Sequence, residues 1–443
     1  MTDAATAFQG HGSRGYRAYV LAVLLAVYTF NFIDRIIIGI VQEPIRREFL
    51  LDDGVMGWLG GPTFAIFYTL LGVPIARAAE RQSRVNIVAI GAALWSVMTA
   101  ACGMAANFLH LVLARIGVGI GEAACVPPSH SMISDYFPAH RRASALAIFA
   151  LGVPVGTMLA AVGGGWLVQN SDWRTAFLAL GIPGLAAALL LKLTVREPPR
   201  WGGQTRAPGL VEALKALRGK ASFWHVAVAA ALVSTVGYGT AQFLKTHFER
   251  TYLLEAFDAS LAFGVVAGLG AGLGTFFGGA LSDKLQARHP RVLTWLPALG
   301  LALALPLYIV ALLQANVAIS VALFTAAAVF HYLYLAPTFT VAQSVVSPRV
   351  RATGAAILIL IINLIGYGIG PPLLGEAANY FTAQQLAPVG LSLADCRGVE
   401  DGVCAAARGG GLKTALLCVV CILAWPIAHF LLAGRSLLED RVS

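Results

Sequence analysis

Charge is scarce in this chain. Only 12% of its 443 residues are Asp, Glu, Lys or Arg, while 58% are hydrophobic. A water-soluble domain rarely exceeds about 50% apolar composition, so an ordinary soluble fold is excluded and the surplus needs an apolar solvent. Cysteine is sparse as well, at six residues. Cys102, Cys125, Cys418 and Cys421 fall in apolar stretches, where a small, weakly polar side chain packs. The C-x-x-C of the last two reads as packing rather than redox or metal chemistry. No His/Cys/carboxylate cluster has metal-ligand spacing, no loop is built to cradle phosphate, and no nucleophile–base pair has a recognisable spacing. The G-x-G-x-G of Gly117, Gly119 and Gly121 follows no strand and sits in an apolar helix, which removes a dinucleotide reading. Catalysis and ATP hydrolysis are left without support, and neither a cofactor nor a metal is expected.

What is present is a succession of apolar runs. A membrane-spanning helix needs roughly 20 predominantly apolar residues, and about twelve such runs recur, six between Tyr19 and Leu193 and six between Phe223 and Leu432. The expected fold is an all-α membrane protein with twelve transmembrane helices in two pseudo-symmetric six-helix bundles. The net charge of +9 is dispersed over the short loops, which argues against nucleic acid as a partner. With the N-terminus placed in the cytoplasm, even-numbered loops and both tails hold about twenty Lys/Arg and odd-numbered loops about eight. Both termini are therefore expected on the cytoplasmic side of the cell's inner membrane. The first span itself is expected to direct insertion, since no separate cleavable signal core precedes it.

The longest polar stretch, "REPPRWGGQTRAPGLVEALKALRGKA" (196–221), divides the chain. The expected division is an N-terminal bundle (1–195), a cytoplasmic linker (196–222) with a short surface helix at Leu210–Leu217, and a C-terminal bundle (223–443). The halves echo each other. "ARAAERQSR" (76–84) after the second span matches "GALSDKLQAR" (279–288) after the eighth, and "PAHRRASA" (138–145) matches "PRVRATGA" (348–355). The offset of about 200 residues fits parallel repeats related by an axis along the membrane normal, a pattern of secondary transporters.

Twelve helices, a basic central linker and a repeated acid–base loop resemble the major facilitator superfamily. "NFIDR" (31–35), "RIGVGIGEAACVPPSHSMISDYFP" (115–138), "SDWRTAFLALGIPG" (171–184) and "REPPR" (196–200) resemble its Spinster branch more closely. The match departs from the usual loop pattern at Ala76, Glu80 and Ser83. The resemblance implies a monomeric secondary transporter whose bundles rock around a central cavity, carrying an amphiphilic lipid such as a lysophospholipid or a sphingoid-base phosphate. It also implies that Arg77, Glu80, Arg81 and Arg84, with Asp283, Lys284 and Arg288, form a conformational latch.

Ionised groups in mid-membrane cost about 3 kcal/mol or more, so they are functional candidates by default. Asp34 and Arg35 on the first helix and Arg115 and Glu122 on the fourth qualify for proton coupling or substrate binding. Arg115 and Glu122 share a face two turns, about 10 Å, apart. Depth along the two helices puts Asp34 level with Arg115 and predicts that they pair. It leaves Glu122 deeper, with no base at its level, as a carboxyl suited to carry a proton. The expected cavity wall adds Asn31 from the first helix, Thr235, Tyr238, Gln242 and Lys245 from the seventh, and His331, Tyr334 and Thr338 from the tenth. His130, His140 and His289 read as surface groups. Cys396 and Cys404 share the long loop before the last helix, where an oxidising compartment makes them a disulfide candidate. The expected partners are a small amphiphilic or anionic substrate, protons and the bilayer. A proton-coupled carrier of small organic anions or drugs is the alternative, and a membrane sensor or channel the non-transport one.

Overall fold

A computed structural model describes residues 10–200, 210–347, 349–400 and 402–442. Among the described residues the regular elements are helices, and twelve are long and apolar enough to cross a membrane. They are α1 (Arg14–Ile40), α2 (Asp53–Arg81), α3 (Arg84–Gly103), α4 (Phe108–Tyr136), α5 (His140–Asn170), α6 (Trp173–Thr194), α7 (Ala221–Tyr252), α8 (Ala256–Gln286), α9 (Val292–Leu313), α10 (Val317–Ser344), α11 (Thr353–Val389) and α12 (Gly402–Asp440). The surface helix of the linker spans Leu210–Leu217, as its sequence predicts.

Several spans begin where the sequence offers a cap. The side chains of Asp52, Ser83, Asn107, Asp172 and Asn316 each accept a backbone amide in the first turn of α2, α3, α4, α6 and α10. Each cap satisfies a donor that lipid cannot. Small residues set the closest packing. A methyl group at Gly156 of α5 would stand 2.6 Å from the Thr29 carbonyl oxygen of α1, and one at Gly370 of α11 would collide with the Thr235 backbone of α7. Those two helix pairs are equivalent in the repeat. So are the π-helical turns of α5 (Ala160–Gly164) and α11 (Ile362–Tyr367), about 200 residues apart.

The chain divides into two compact units. The first comprises residues 1–37 and 66–205, and its core includes Val20, Leu24, Trp95, Phe149 and Phe177. The second comprises residues 206–443 together with Ile38–Ala65. This differs from a division at residue 195, because the end of α1, the helical turn Gln42–Glu48 and the start of α2 pack on the C-terminal helices. Gly57 lies against Pro371, and Gly60 against Gln242. Ile90, Leu113, Leu189 and Leu193 of the first unit and Phe276, Leu299, Leu313 and Trp425 of the second are exposed, which suits a belt of lipid. In the first unit the α2–α3 turn, the end of α4 and residues 196–198 meet at one end, the linker side. Gln42–Glu48 and the loop before α12 belong to the opposite, far side.

Candidate functional site

In the first unit, α1 and α4 bring four ionisable side chains together in an otherwise apolar interior. Asn31, Asp34, Arg115 and Glu122 are fully buried and Arg35 nearly so. The pairing differs from the one that depth predicts. Arg35 donates from Nη2 and Nε to Glu122 Oε2 at 2.7 and 3.1 Å, so Glu122 is not without a base. Arg115 donates from Nη1 to the main-chain carbonyl of Asp34 at 3.0 Å. The predicted Asp34–Arg115 carboxylate–guanidinium bond is replaced by one to the backbone. The reason is geometry that depth alone ignores. An arginine side chain reaches about a helical turn beyond its Cα, and its azimuth decides which neighbour it meets.

The Asp34 carboxylate stands beside Thr99 and Trp95 of α3, yet among the described residues neither of its oxygens accepts a hydrogen bond. The Trp95 indole, the Thr99 hydroxyl and the Asn31 amide are also unsatisfied there. A buried polar atom left without a partner costs about 1–3 kcal/mol, so a polar cluster inside an apolar interior makes these residues candidates for function. The Arg35 guanidinium lies 4.9 Å from the Phe32 ring centroid and 4.7 Å from that of Tyr68. A cation between two rings, held by one carboxylate, can exchange that carboxylate for another anion without leaving its apolar walls.

On the linker side of the same unit, Arg84 is buried and holds three elements at once. It donates to Glu197 Oε1 at 2.7 Å, to Ser131 Oγ at 2.9 Å, to the Pro198 carbonyl at 2.8 Å, and to the Asp135 carboxylate. Glu197 also accepts the Ser83 hydroxyl and the Val85 amide. Burial works against the Glu197 charge. The Val85 amide, the Ser83 hydroxyl and Arg84 outweigh it and hold the carboxyl below its ordinary value. Asp135 and Glu197 are absent from the sequence-based site. The signal was an acid at the linker-side end of α4 and another in "REPPR" just after α6. Replacing Arg84 with Ala takes the guanidinium from two carboxylates, of which Glu197 keeps the Ser83 hydroxyl and the Val85 amide. An apparent stability loss of about 3 kcal/mol is expected, read as a lower unfolding temperature in detergent. Arg77, Glu80 and Arg81, and in the second unit Asp283, Lys284 and Arg288, lie exposed.

The remaining expected wall residues lie in the second unit. The Thr235 hydroxyl donates to the Ala231 carbonyl of its own helix. Tyr238 packs on Tyr367 with centroids 4.6 Å apart. Gln242 donates to Gln42 at 2.7 Å, and Lys245 pairs with Glu249 at 2.6 Å. His331 is buried among Tyr308, Tyr332 and Tyr334, and Tyr334 shares a hydrogen bond with Ser234. Thr338 is buried, whereas His130, His140 and His289 are exposed. Cys396 and Cys404 form a disulfide, while Cys418 and Cys421 are free and exposed.

Sequence reasoning missed a second ionic network, on the far side. Arg250 of α7 binds Asp53 through both guanidinium nitrogens at 2.6 and 2.8 Å and Glu43 at 2.8 Å. Arg46 binds Glu43 at 2.7 Å and Glu400 at 2.8 Å. Charges flanking the break between the first two spans, and a base near the end of α7, were its only trace in the sequence.

Twelve spanning helices in two repeated units, with buried charges on α1 and α4, define a transporter of the major facilitator class. The Major Facilitator Superfamily model matches residues 24–371, and the chain belongs to that family. Within it the chain belongs to the Spinster branch. It is 28% identical over 402 residues to protein spinster homolog 1 of Mus musculus, covering 82% of this chain and 73% of that one. A crystal structure of a bacterial homolog to the human lysosomal transporter Spinster, in an inward-facing and unoccupied conformation, superposes with a TM-score of 0.89 at 37% identity, covering 98% of this chain and all of that one. An MFS-type efflux pump of Mycolicibacterium smegmatis is 31% identical over 378 residues, covering 84% of this chain and 86% of the relative. The protein is an integral membrane transporter and not an enzyme.

Proposed function

We propose that the protein is a proton-coupled carrier of an amphiphilic lipid with an anionic head, of the lysophospholipid or sphingoid-base phosphate kind. It resides in the cytoplasmic membrane with both termini inside. The observation that carries the reading is the buried group Asp34, Arg35, Arg115 and Glu122. Arg35, held by Glu122 and flanked by Phe32 and Tyr68, offers a guanidinium to a phosphate and apolar walls to the carbon next to it. When Glu122 takes up a proton, Arg35 loses its counter-charge and becomes available to the head group; when the proton leaves, the ion pair re-forms and expels it. Asp34 gives the same region a second buried carboxyl, beside Thr99 and Trp95 of α3 and close to Arg115. The orientation is supported by the concentration of Lys and Arg on the linker side.

The test is uptake by the full chain in proteoliposomes, with and without an imposed pH gradient. The panel contains a lysophospholipid, a sphingoid-base phosphate, small organic anions and cationic drugs. Gradient-dependent movement of a phosphate-headed lipid is the expected result. Uptake that ignores the gradient would remove the coupling, and movement of the other compounds alone would remove the substrate. The second reading, a proton-coupled exporter of drugs or small organic anions, is favoured by the similarity to the mycobacterial efflux pump, and the same panel decides between them.

A further inference from the structure

The loop between α11 and α12 is more than a connection. The Cys396–Cys404 disulfide closes a ring across a sequence separation of 8 residues. Arg408 of α12 fills that ring from below. It donates to the Val399 carbonyl at 2.7 Å and to the Cys396 carbonyl, and reaches Glu400 at 3.2 Å. Gly398, at φ +72°, makes a turn that a side chain would strain. The ring's sulfurs are buried with Leu386 and Ala407, and Leu391 and Leu393 cover them. Arg408 of α12 thus holds Glu400 from one side, and its carboxylate is shared with the segment between the first two spans. There it meets Arg46 at 2.8 and 2.9 Å and Arg47 at 3.3 Å.

Arg46 belongs to the turn Gln42–Glu48, between the first two spans, which is the segment that packs on the C-terminal helices. From the ring the ionic chain continues without a break. Glu400 holds Arg46, Arg46 holds Glu43, Glu43 holds Arg250 of α7, and Arg250 holds Asp53 at the start of α2. Asn379 of α11 closes the other edge, donating to Asp52 at 2.9 Å and accepting the Asp53 amide at 3.1 Å.

We propose that the disulfide-closed ring is a strap. By presenting Glu400 to Arg46 and Arg47 it keeps the α1–α2 turn seated on α7 and α11, and so sets how readily the far side of the transporter opens. The Arg250 centre is the lock and the ring is its fastening: Glu400 is the partly exposed outer member, while Glu43, Arg46, Asp53 and Arg250 are buried. A simple loop brace would hold α11 to α12 but would need no carboxylate aimed at the opposite segment.

The experiment is hydrogen–deuterium exchange on the full chain in nanodiscs, comparing wild type with Glu400→Gln and with Cys396→Ser/Cys404→Ser. Glu400→Gln keeps the disulfide and alters only the aimed charge. Both variants are expected to speed amide exchange in residues 42–60 by about fivefold or more, the signature of a more frequent local opening, with α3 and α6 unchanged. Unaltered exchange in 42–60 for Glu400→Gln overturns the strap. Acceleration confined to 390–404 in the double serine variant overturns the disulfide's part in it. The readout needs no substrate and no proton gradient, so its failure is distinct from failure of the proposed substrate or coupling.

Discussion

Glu122→Gln is expected to cut pH-gradient-driven uptake by at least about tenfold and to destabilise the first unit, whereas Asp34→Asn is expected to do only the former. The difference lies in what each carboxyl touches. Glu122 is the counter-charge of a nearly buried Arg35 at 2.7 Å. Removing one member of such a pair leaves an uncompensated charge and costs about 3–5 kcal/mol. Asp34 accepts no hydrogen bond among the described residues, and Arg115 holds its main-chain carbonyl rather than its carboxyl, so an amide there strands no partner. A double variant, Arg35→Gln with Glu122→Gln, separates structure from mechanism. It is expected to recover most of the lost stability, because no lone charge remains, while uptake stays insensitive to pH. Stability recovered together with pH-dependent uptake would show that the pair serves only to register α1 against α4. The cycle needs both single variants, since the coupling is the difference between the double and the sum of the singles.

That contrast also marks where the sequence was readable. Apolar run length placed all twelve spans, because a bilayer leaves no other solution for the backbone. The linker helix was visible from its amphipathic spacing and the ring cysteines from their nearness in sequence, although Cys404 lies in the first turn of α12 rather than in the loop. Pairing inside the membrane was not local. Counting residues at 1.5 Å per step gives depth along a helix but neither the azimuth of the neighbour nor the reach of arginine. Arg35 therefore went unrecognised as the partner of Glu122. Arg84 shows the same limit in another form. Its membership of the repeated loop was legible, but its partners Asp135 and Glu197 come from the ends of α4 and α6. The division of the chain was hidden for a similar reason. The far ends of α1 and α2 are contiguous with the first half in sequence, yet their charges are satisfied by Arg250 of α7 and by Glu400.

The far-side lock gives the second large effect, with a sign that depends on pH. Glu43 is buried, which alone would favour its neutral form, but the charges and hydrogen bonds of Arg250 and Arg46 outweigh burial and hold its carboxyl well below the ordinary range. A carboxyl depressed in the folded state adds stability that is complete above its unfolded value of about 4.3. That stability is lost as pH falls from there through the folded value. Between the two, the loss is about 1.4 kcal/mol per pH unit. Wild type is therefore expected to keep this contribution from neutral pH down to about pH 4 and to lose it only in stronger acid. In Glu43→Gln that acid-sensitive component should be missing, and the unfolding temperature at neutral pH should be lower. Arg250→Gln is expected to act differently. It strands Asp53, leaves Glu43 with Arg46 and the more exposed Arg47, and costs about 3 kcal/mol. With its strongest cation gone, Glu43 moves back toward its ordinary range, so the acid loss still begins near the unfolded value but ends at a higher pH and is smaller. Thermal unfolding of the three proteins in detergent between pH 3 and 7 measures this directly. An acid limb of the same size and position in all three would mean that Glu43 contributes nothing to the stability of the far-side network.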